Sequence, residues 1–466
     1  MGSKKERRLV HHKQHFYLTF LGASILVILM HFLVVKQFSY LHLRGAFNEP
    51  RDFVGDIIHL NNLNEVCFHE KKAVIPWTYN SSDVDRTLVW NREDLASLID
   101  YLAECPEVDV FLPEGLRNHG YCEDGMAYVK YLNTRALPGW VFDIRFNYQG
   151  QRNITYFELC PKSAILVMNH YSDGIPQRND FPKNKPMILM PNVEMYELKE
   201  TQYLQFDYIL CKTKDAYNRL TKWFNDNENP RNATLLYVQH TSSDPSTLAR
   251  TYSQSHSDFT IKPKDFENIT FFHANGHSAQ KSTKNIFQCW QKRPDFPTLD
   301  VYSMYSGTKE EFDQVFGSAG APPNVRFHYG EDIDAPHFGR LLLEASTILC
   351  PSKMEGFGHY INQARASGAV VLTTDGTPMN ELVDDNSGVL IHAYAMNPNP
   401  NQLLSQYGAM EWDVPSEDIC AAVNKVLAMS PTEREVIGLN GRRRYEQQVV
   451  DFRNNMNNLR KLLLKD

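Results

Sequence analysis

Apolar runs of about five residues recur along most of this chain, separated by polar or amphipathic stretches, and that alternation predicts an α/β fold with mainly parallel sheets. Residues 108–112, 140–144, 163–168, 186–190, 206–211 and 234–238 read as a first series of strands, with an amphipathic helix over 215–225. A polar, proline-containing stretch at 260–265 interrupts the rhythm. A second series follows at 269–273, 299–304, 325–329, 346–350, 369–373 and 388–391, with helices expected over 282–291, 335–344, 359–367 and 379–383. A polar loop at 397–406 and helices over 416–429 and from 431 onward complete the pattern. Two such units facing one another would form a cleft lined by strand-end loops, where open parallel sheets bind ligands.

One run departs from the rhythm. Residues 16–35 are uncharged and rich in Leu, Ile, Val and Phe, and twenty residues in a helix span about 30 Å, one bilayer core. Lys4, Lys5, Arg7, Arg8 and Lys13 precede the run, with only Glu6 opposing them. This pattern predicts a cytoplasmic basic tail (1–15), a transmembrane anchor (16–35) and a short stem (36–60). The expectation is a single-pass type II protein of the Golgi or endoplasmic reticulum membrane, with the lipid bilayer as a partner and its catalytic part lumenal. The rivals are a cleaved signal peptide and a buried helix. Beyond the stem, the expected divisions are a first Rossmann-like domain (61–262), a second (263–430) and a C-terminal helix (431–466) packing back toward the first.

At 466 residues, two domains of ordinary size are the natural division. A net charge of −7 gives no reason to expect nucleic-acid binding. Asn80, Asn153, Asn232 and Asn268 each open an N-x-Ser/Thr acceptor for glycosylation. Among eight cysteines none shows close C-x-x-C metal spacing. Cys67, Cys105, Cys122 and Cys160 are candidates for disulfides of open pairing, whereas Cys211, Cys350 and Cys420 read as buried free thiols. Asp83-Val-Asp85 and Asp332-Ile-Asp334 read as surface or capping residues, so no metal and no cofactor is expected.

Candidate chemistry concentrates where strands give way to glycine turns. Gly276-His277-Ser278-Ala-Gln-Lys281 follows a strand and opens a helix, a place where backbone amides and a lysine can hold a diphosphate. Glu355-Gly356-Phe357-Gly358 follows another strand, and its carboxylate can accept hydrogen bonds from sugar hydroxyls; Gln363 lies eight positions on. Met379, Asn380 and Glu381 follow a third strand, with Glu381 either touching a ligand or favouring a helix start. In the first series, residues 115–125 read as a Gly-rich polar loop containing His119, and His170 and Glu194 lie just after strands. Thr241, Ser242 and Asp244 occupy a similar place, where a plain Ser/Thr–Asp turn is the bland alternative.

These residues resemble those of retaining GT-B glycosyltransferases, specifically glycosyltransferase family 4 and its group-1 C-terminal domain. The strongest match runs from Cys350-Pro-Ser-Lys-Met-Glu-Gly-Phe-Gly to Asn380-Glu-Leu-Val, with weaker similarity at 276–281, 190–194, 210–214 and 241–244. The resemblance implies the GT-B fold of two facing Rossmann-like domains, a nucleotide sugar held mainly by the second, and a glycan, glycoprotein or glycolipid acceptor held mainly by the first. It also implies metal-independent transfer with retained anomeric configuration. The family's paired glutamates correspond here to Glu355 and Gln363, and the second is a departure because an amide brings no charge. Lys281 matches the family's lysine, while His277 stands where its arginine is usual. Glu355, Lys281 and His170 are the expected catalytic residues; 276–278, 281, 355–358, 363 and 379–381 supply the donor side; His119, His170, Glu194, Thr241, Ser242 and Asp244 supply the acceptor side. The alternative is an inactive GT-B protein that binds glycans or scaffolds a partner.

Overall fold

The computed structural model describes residues 51–79 and 89–464. The chain divides into a unit of residues 1–56, described only where 51–56 begin the helix Arg51–His69, and a unit of residues 57–466 that carries everything below.

The larger unit is built on two sheets. Its first part supplies β1 (Ile75–Pro76), β2 (Val108–Phe111), β3 (Arg135–Leu137), a hairpin of β4 (Phe146–Tyr148) and β5 (Gln151–Ile154), then β6 (Ala164–Met168), β7 (Met187–Met190), β8 (Tyr208–Cys211) and β9 (Thr234–Tyr237). These form a seven-stranded sheet in the order β1-β3-β2-β6-β7-β8-β9, parallel apart from β1. Every residue of β2, β6, β7 and β8 is buried, as strands covered on both faces must be. The second part supplies β10 (Phe271–Gly276), β11 (Leu299–Ser303), β12 (Val325–Tyr329), β13 (Thr347–Cys350), β14 (Val370–Thr374) and β15 (Val389–Ile391). This sheet is wholly parallel, in the order β12-β11-β10-β13-β14-β15. Strand order reverses between β10 and β13 and, in the first sheet, between β2 and β6; these are the switch points at which doubly wound sheets take ligands.

Two features join the parts. The helix Pro431–Leu463, started by a Ser430/Glu433 capping box, runs from the second sheet to the first. Its Tyr445 hydroxyl donates to the Ser242 carbonyl (2.9 Å), Asn455 donates to the Val238 carbonyl (3.0 Å), and Phe452 packs edge-on against Tyr128 and Tyr131. The polar loop after β15 is a strap rather than a free loop. Leu404 and Met410 are buried in the core of the first part, and Arg219 donates to the carbonyls of Leu404 (3.2 Å), Gly408 (2.8 Å) and Ala409 (2.6 Å). Helix packing is equally close elsewhere: a Cβ on Gly339 would lie 1.9 Å from the Pro245 carbonyl oxygen. Backbone cannot yield as a side chain can, so Gly339→Ala is expected to cost about 1–3 kcal/mol or more, read as a lowered midpoint in denaturant without a change in slope.

Several expectations need correction. No helix among the described residues is long and apolar enough to cross a membrane, and the expected basic tail and anchor at 1–35 lie outside the described residues. The type II membrane reading, with the N-terminal transmembrane element of the fold, the bilayer contact and the Golgi or endoplasmic reticulum placement that followed from it, gains no support from the described residues. The stem expected to reach residue 60 gives way at 51 to the helix Arg51–His69, whose Ile57, Leu60 and Leu63 are buried. The apolar stretch 140–144 makes a 3-10 turn, Gly139–Phe142, because Pro138 and Gly139 end the extended chain; the strand lies earlier, at β3. Residues 119–125 are helical, in His119–Tyr131, whose start is capped by Asn118 accepting from the Tyr121 amide. Disulfides join Cys67 to Cys122, Cys105 to Cys160 and Cys289 to Cys420, so Cys420 is not the free thiol expected, while Cys211 and Cys350 are free and buried. Asn80 and the Asp83/Asp85 pair lie outside the described residues. Asn153, Asn232 and Asn268 are exposed, and Asp334 caps the helix Ala335–Glu344 by accepting from the His337 amide.

Candidate functional site

The loops that follow β10 and β13 meet at the second sheet's switch point. The Lys353 amide donates to the Gln280 carbonyl (2.8 Å), tying the two loops together. Lys281, from the first loop, forms an ion pair with Glu355 from the second, and the same Glu355 oxygen accepts from Ser352. Both charged side chains remain partly open, at 12% and 11% exposure. The Lys281 ammonium also lies 4.1 Å from the centre of the Tyr360 ring, and the Tyr360 hydroxyl is 2.6 Å from Ser352 Oγ. The sequence points to Lys281 and Glu355 separately but not to their pairing, nor to Ser352 and Tyr360, which support it. Gly276 (φ 55°) and His277 are exposed beside this centre, and Ser278 Oγ accepts from the Gln280 amide (3.2 Å). The helix beyond begins at Thr283, so the whole stretch 277–282 is loop.

Opposite it lies the loop after β7. A Cβ on Gly356 would fall 2.5 Å from Glu194 Oε1 and 2.8 Å from Asn192 Oδ1, so only glycine permits this approach of the two loops. Glu194 Oε2 and Asn192 Oδ1 are buried with no hydrogen-bond partner. Burial lifts the Glu194 carboxyl to about 7, with Lys212 pulling it down and Glu355 and Asp124 adding to the rise. Its carbonyl accepts from Gln402 of the strap (2.8 Å). Next to it Asn169 donates to the Tyr121 hydroxyl (2.6 Å) and accepts from the Asn192 amide. The His170 ring lies tilted against Tyr171, with centres 3.9 Å apart, and its Nδ1 is buried and unpaired. His119 opens the helix His119–Tyr131.

Deeper between the parts is a buried charge cluster that sequence reasoning did not assemble. Asp124 takes Lys212 at 3.0 Å on each oxygen, while His240 Nε2 (2.9 Å) and His359 Nε2 (3.0 Å) both reach its Oδ1. Burial pushes the Asp124 carboxyl up, but Lys212, His359 and His240 together hold it well below the usual carboxylate range. Burial pulls His240 down to about 4 against the pull of Asp124, so its ring is neutral. Asp124, His240 and His359 offer three ligand atoms within 4.8 Å of one another. Lys212 already neutralises the carboxylate, and its ammonium would repel an added cation, so the group serves as a hydrogen-bonded hub across the two parts. Phe357 is buried against both histidines, with ring centres 5.0 and 5.1 Å away.

Several expected donor and acceptor residues are instead joined to protein. Gln363 Nε2 donates to Glu123 Oε1 (2.9 Å). Glu381 accepts from the Lys214 and Asp215 amides, each at 2.7 Å, capping the helix Lys214–Asp226 of the other part. Met379 is wholly buried, and Asn380 donates to Asp375 (3.1 Å). Ser242 Oγ accepts from Asn362 (2.7 Å), Thr241 is buried, and Asp244 caps the helix Pro245–Ser255 through the Ser246 amide (2.9 Å). Of the expected residues, Lys281, Glu355, Gly356 and Glu194 are the ones brought together.

No protein-family model and no curated protein matches the chain. Solved structures resemble it distantly. A sucrose-phosphate synthase from Thermosynechococcus elongatus is 15% identical, with 72% of this chain and 84% of that one covered and a TM-score of 0.47. HepE of Anabaena, in complex with UDP and glucose, is 14% identical over 78% of this chain and 94% of that one, with a TM-score of 0.47. A GtfA/B complex is 14% identical over 69% of this chain, which spans 65% of that one, with a TM-score of 0.46.

Proposed function

We propose that this chain transfers a sugar from a nucleotide-sugar donor to a glycan, glycoprotein or glycolipid acceptor, with retention at the anomeric carbon. The observation that carries the reading is the Lys281–Glu355 pair, supported by Ser352, at the switch point of the second sheet. A departing nucleoside diphosphate needs a cation beside it, which Lys281 supplies. On donor binding Lys281 would exchange Glu355 for phosphate oxygen, leaving the carboxylate to accept from sugar hydroxyls.

The bond from the anomeric carbon to the diphosphate oxygen breaks as a bond to the acceptor oxygen forms on the same face. The acceptor's proton passes to the departing phosphate, so no side chain acts as nucleophile. Glu194, set against Gly356 from the other loop, would hold the acceptor hydroxyl as a carboxylate. Its carboxyl sits at about 7, so activity is expected to rise with pH as it ionises across that value. A pH–rate profile of Glu194→Gln should lose this rising limb while keeping its high-pH rate within about tenfold.

The test is the full chain incubated with a panel of UDP- and GDP-sugars, with and without EDTA, and followed by mass spectrometry. Turnover of one donor supports the proposal; absence of both binding and turnover for every donor overturns it. A second reading, an inactive glycan-binding or scaffolding protein, is favoured by Gln363 and Glu381 being engaged with protein rather than open to a ligand. That reading predicts no donor turnover with any acceptor.

A further inference from the structure

Beside the hub, and without Lys281 or Glu355 in its wall, lies a pocket of about 160 Å³. Lys212, Thr213, Phe357, Arg365, Glu381 and Arg444 are among its lining residues. Its charges cancel in sum but are not all paired one to one. Lys212 is paired with Asp124 and Arg444 with Asp384, and the Glu381 carboxylate is committed to the amides of Lys214 and Asp215. Arg365 is different. It is 2% exposed, its terminal nitrogens donate only to the Leu382 carbonyl and the amide oxygens of Asn362 and Gln448, and its Nε is buried with no partner.

A guanidinium buried among neutral oxygens carries a desolvation cost that a carboxylate or phosphate would offset. Burial, together with the like charge of Arg444, pulls Arg365 down to about 9 against the opposing pull of Tyr445 and Asp384. Glutamine side chains at 239, 447 and 448 complete a wall able to hydrogen-bond the neutral part of a small polar molecule.

We propose that this pocket binds a small oxyanion-bearing ligand, a phosphate or carboxylate carried on a polar body of sugar size, with Arg365 as its counter-ion. The site is separate from the Lys281–Glu355 centre and does not depend on sugar transfer taking place there. Phosphorylated and carboxylated sugars share the chemistry, and the binding experiment separates them.

The full chain is titrated calorimetrically with inorganic phosphate, glucose 6-phosphate, glucuronate and glucose. At least one of the three anions should bind saturably, with glucose at least tenfold weaker. Arg444→Gln, at a partly exposed pocket residue, should raise the dissociation constant at least tenfold, and Arg365→Met should abolish binding. Lys281→Ala should leave it unchanged. No saturable anion binding would overturn the proposal. So would binding that survives Arg444→Gln, or binding lost in Lys281→Ala, which would place the anion at the transfer centre instead. Circular dichroism of each variant guards against misfolding, and Arg444→Gln decides the matter if Arg365→Met does not fold.

Discussion

Asp124→Asn is expected to destabilise the protein by about 3–5 kcal/mol, because it leaves a buried lysine without its counter-charge. Lys212 and Asp124 are each 3% exposed, and both carboxylate oxygens serve the ammonium at 3.0 Å. An amide presents one acceptor where the carboxylate presents two, and it turns an NH₂ toward Lys212 or the histidines. The damage should extend beyond the first part, because His359 reaches Asp124 from the helix His359–Ala366. Pairing the change with Lys212→Met removes the stranded charge, so the double variant should recover much of the loss. Urea unfolding of the two single variants and the double variant measures this. A single-site loss below about 1 kcal/mol would mean that water reaches the cluster and screens it.

Lys281→Ala is expected to lower the turnover of the preferred donor by about 10²–10³-fold, the usual loss when a group stabilising developing charge is removed. Removing Lys281 leaves the largely buried Glu355 carboxylate with Ser352 alone, so some stability is lost as well, and circular dichroism of the variant is read beside its turnover. The loss should fall mainly on kcat, since negative charge on the diphosphate is greatest as the sugar departs. Glu355→Ala should lose turnover as well, and its lysine, freed from the ion pair, should hold the nucleotide at least as tightly as before. Equal turnover in wild type and Lys281→Ala would remove the residue from the chemistry altogether.

Much of the sheet framework was legible because its strands are buried on both faces. A run such as Ala164-Ile-Leu-Val-Met has no reason to be uniformly apolar unless helices cover it above and below. Where pattern and local geometry compete, the pattern misleads. Residues 140–144 have the composition of a strand, yet Pro138 and Gly139 turn the chain first. Gly115, Gly120 and Gly125 suggest a loop, whereas Asn118 starts a helix that contains the last two. The Lys281–Glu355 centre was readable because each residue follows its own strand by a few positions. The hub was not, since Asp124, Lys212, His240 and His359 come from four separate elements, and His359 meets Asp124 across 235 positions. Nothing local in a glutamate at 381 announces that it will cap a helix beginning at 214.

The helix Pro431–Leu463 has a consequence for the order in which the protein can be finished. Its Tyr445, Phe452 and Asn455 touch segments made more than two hundred residues earlier, at 238–242 and 128–131. During synthesis the first sheet leaves the ribosome early and, at about 5–20 residues per second, waits roughly ten seconds or more for this covering. Until then Tyr128 and Tyr131 face whatever surrounds the nascent chain. The half of the molecule made first is thus the last to be sealed.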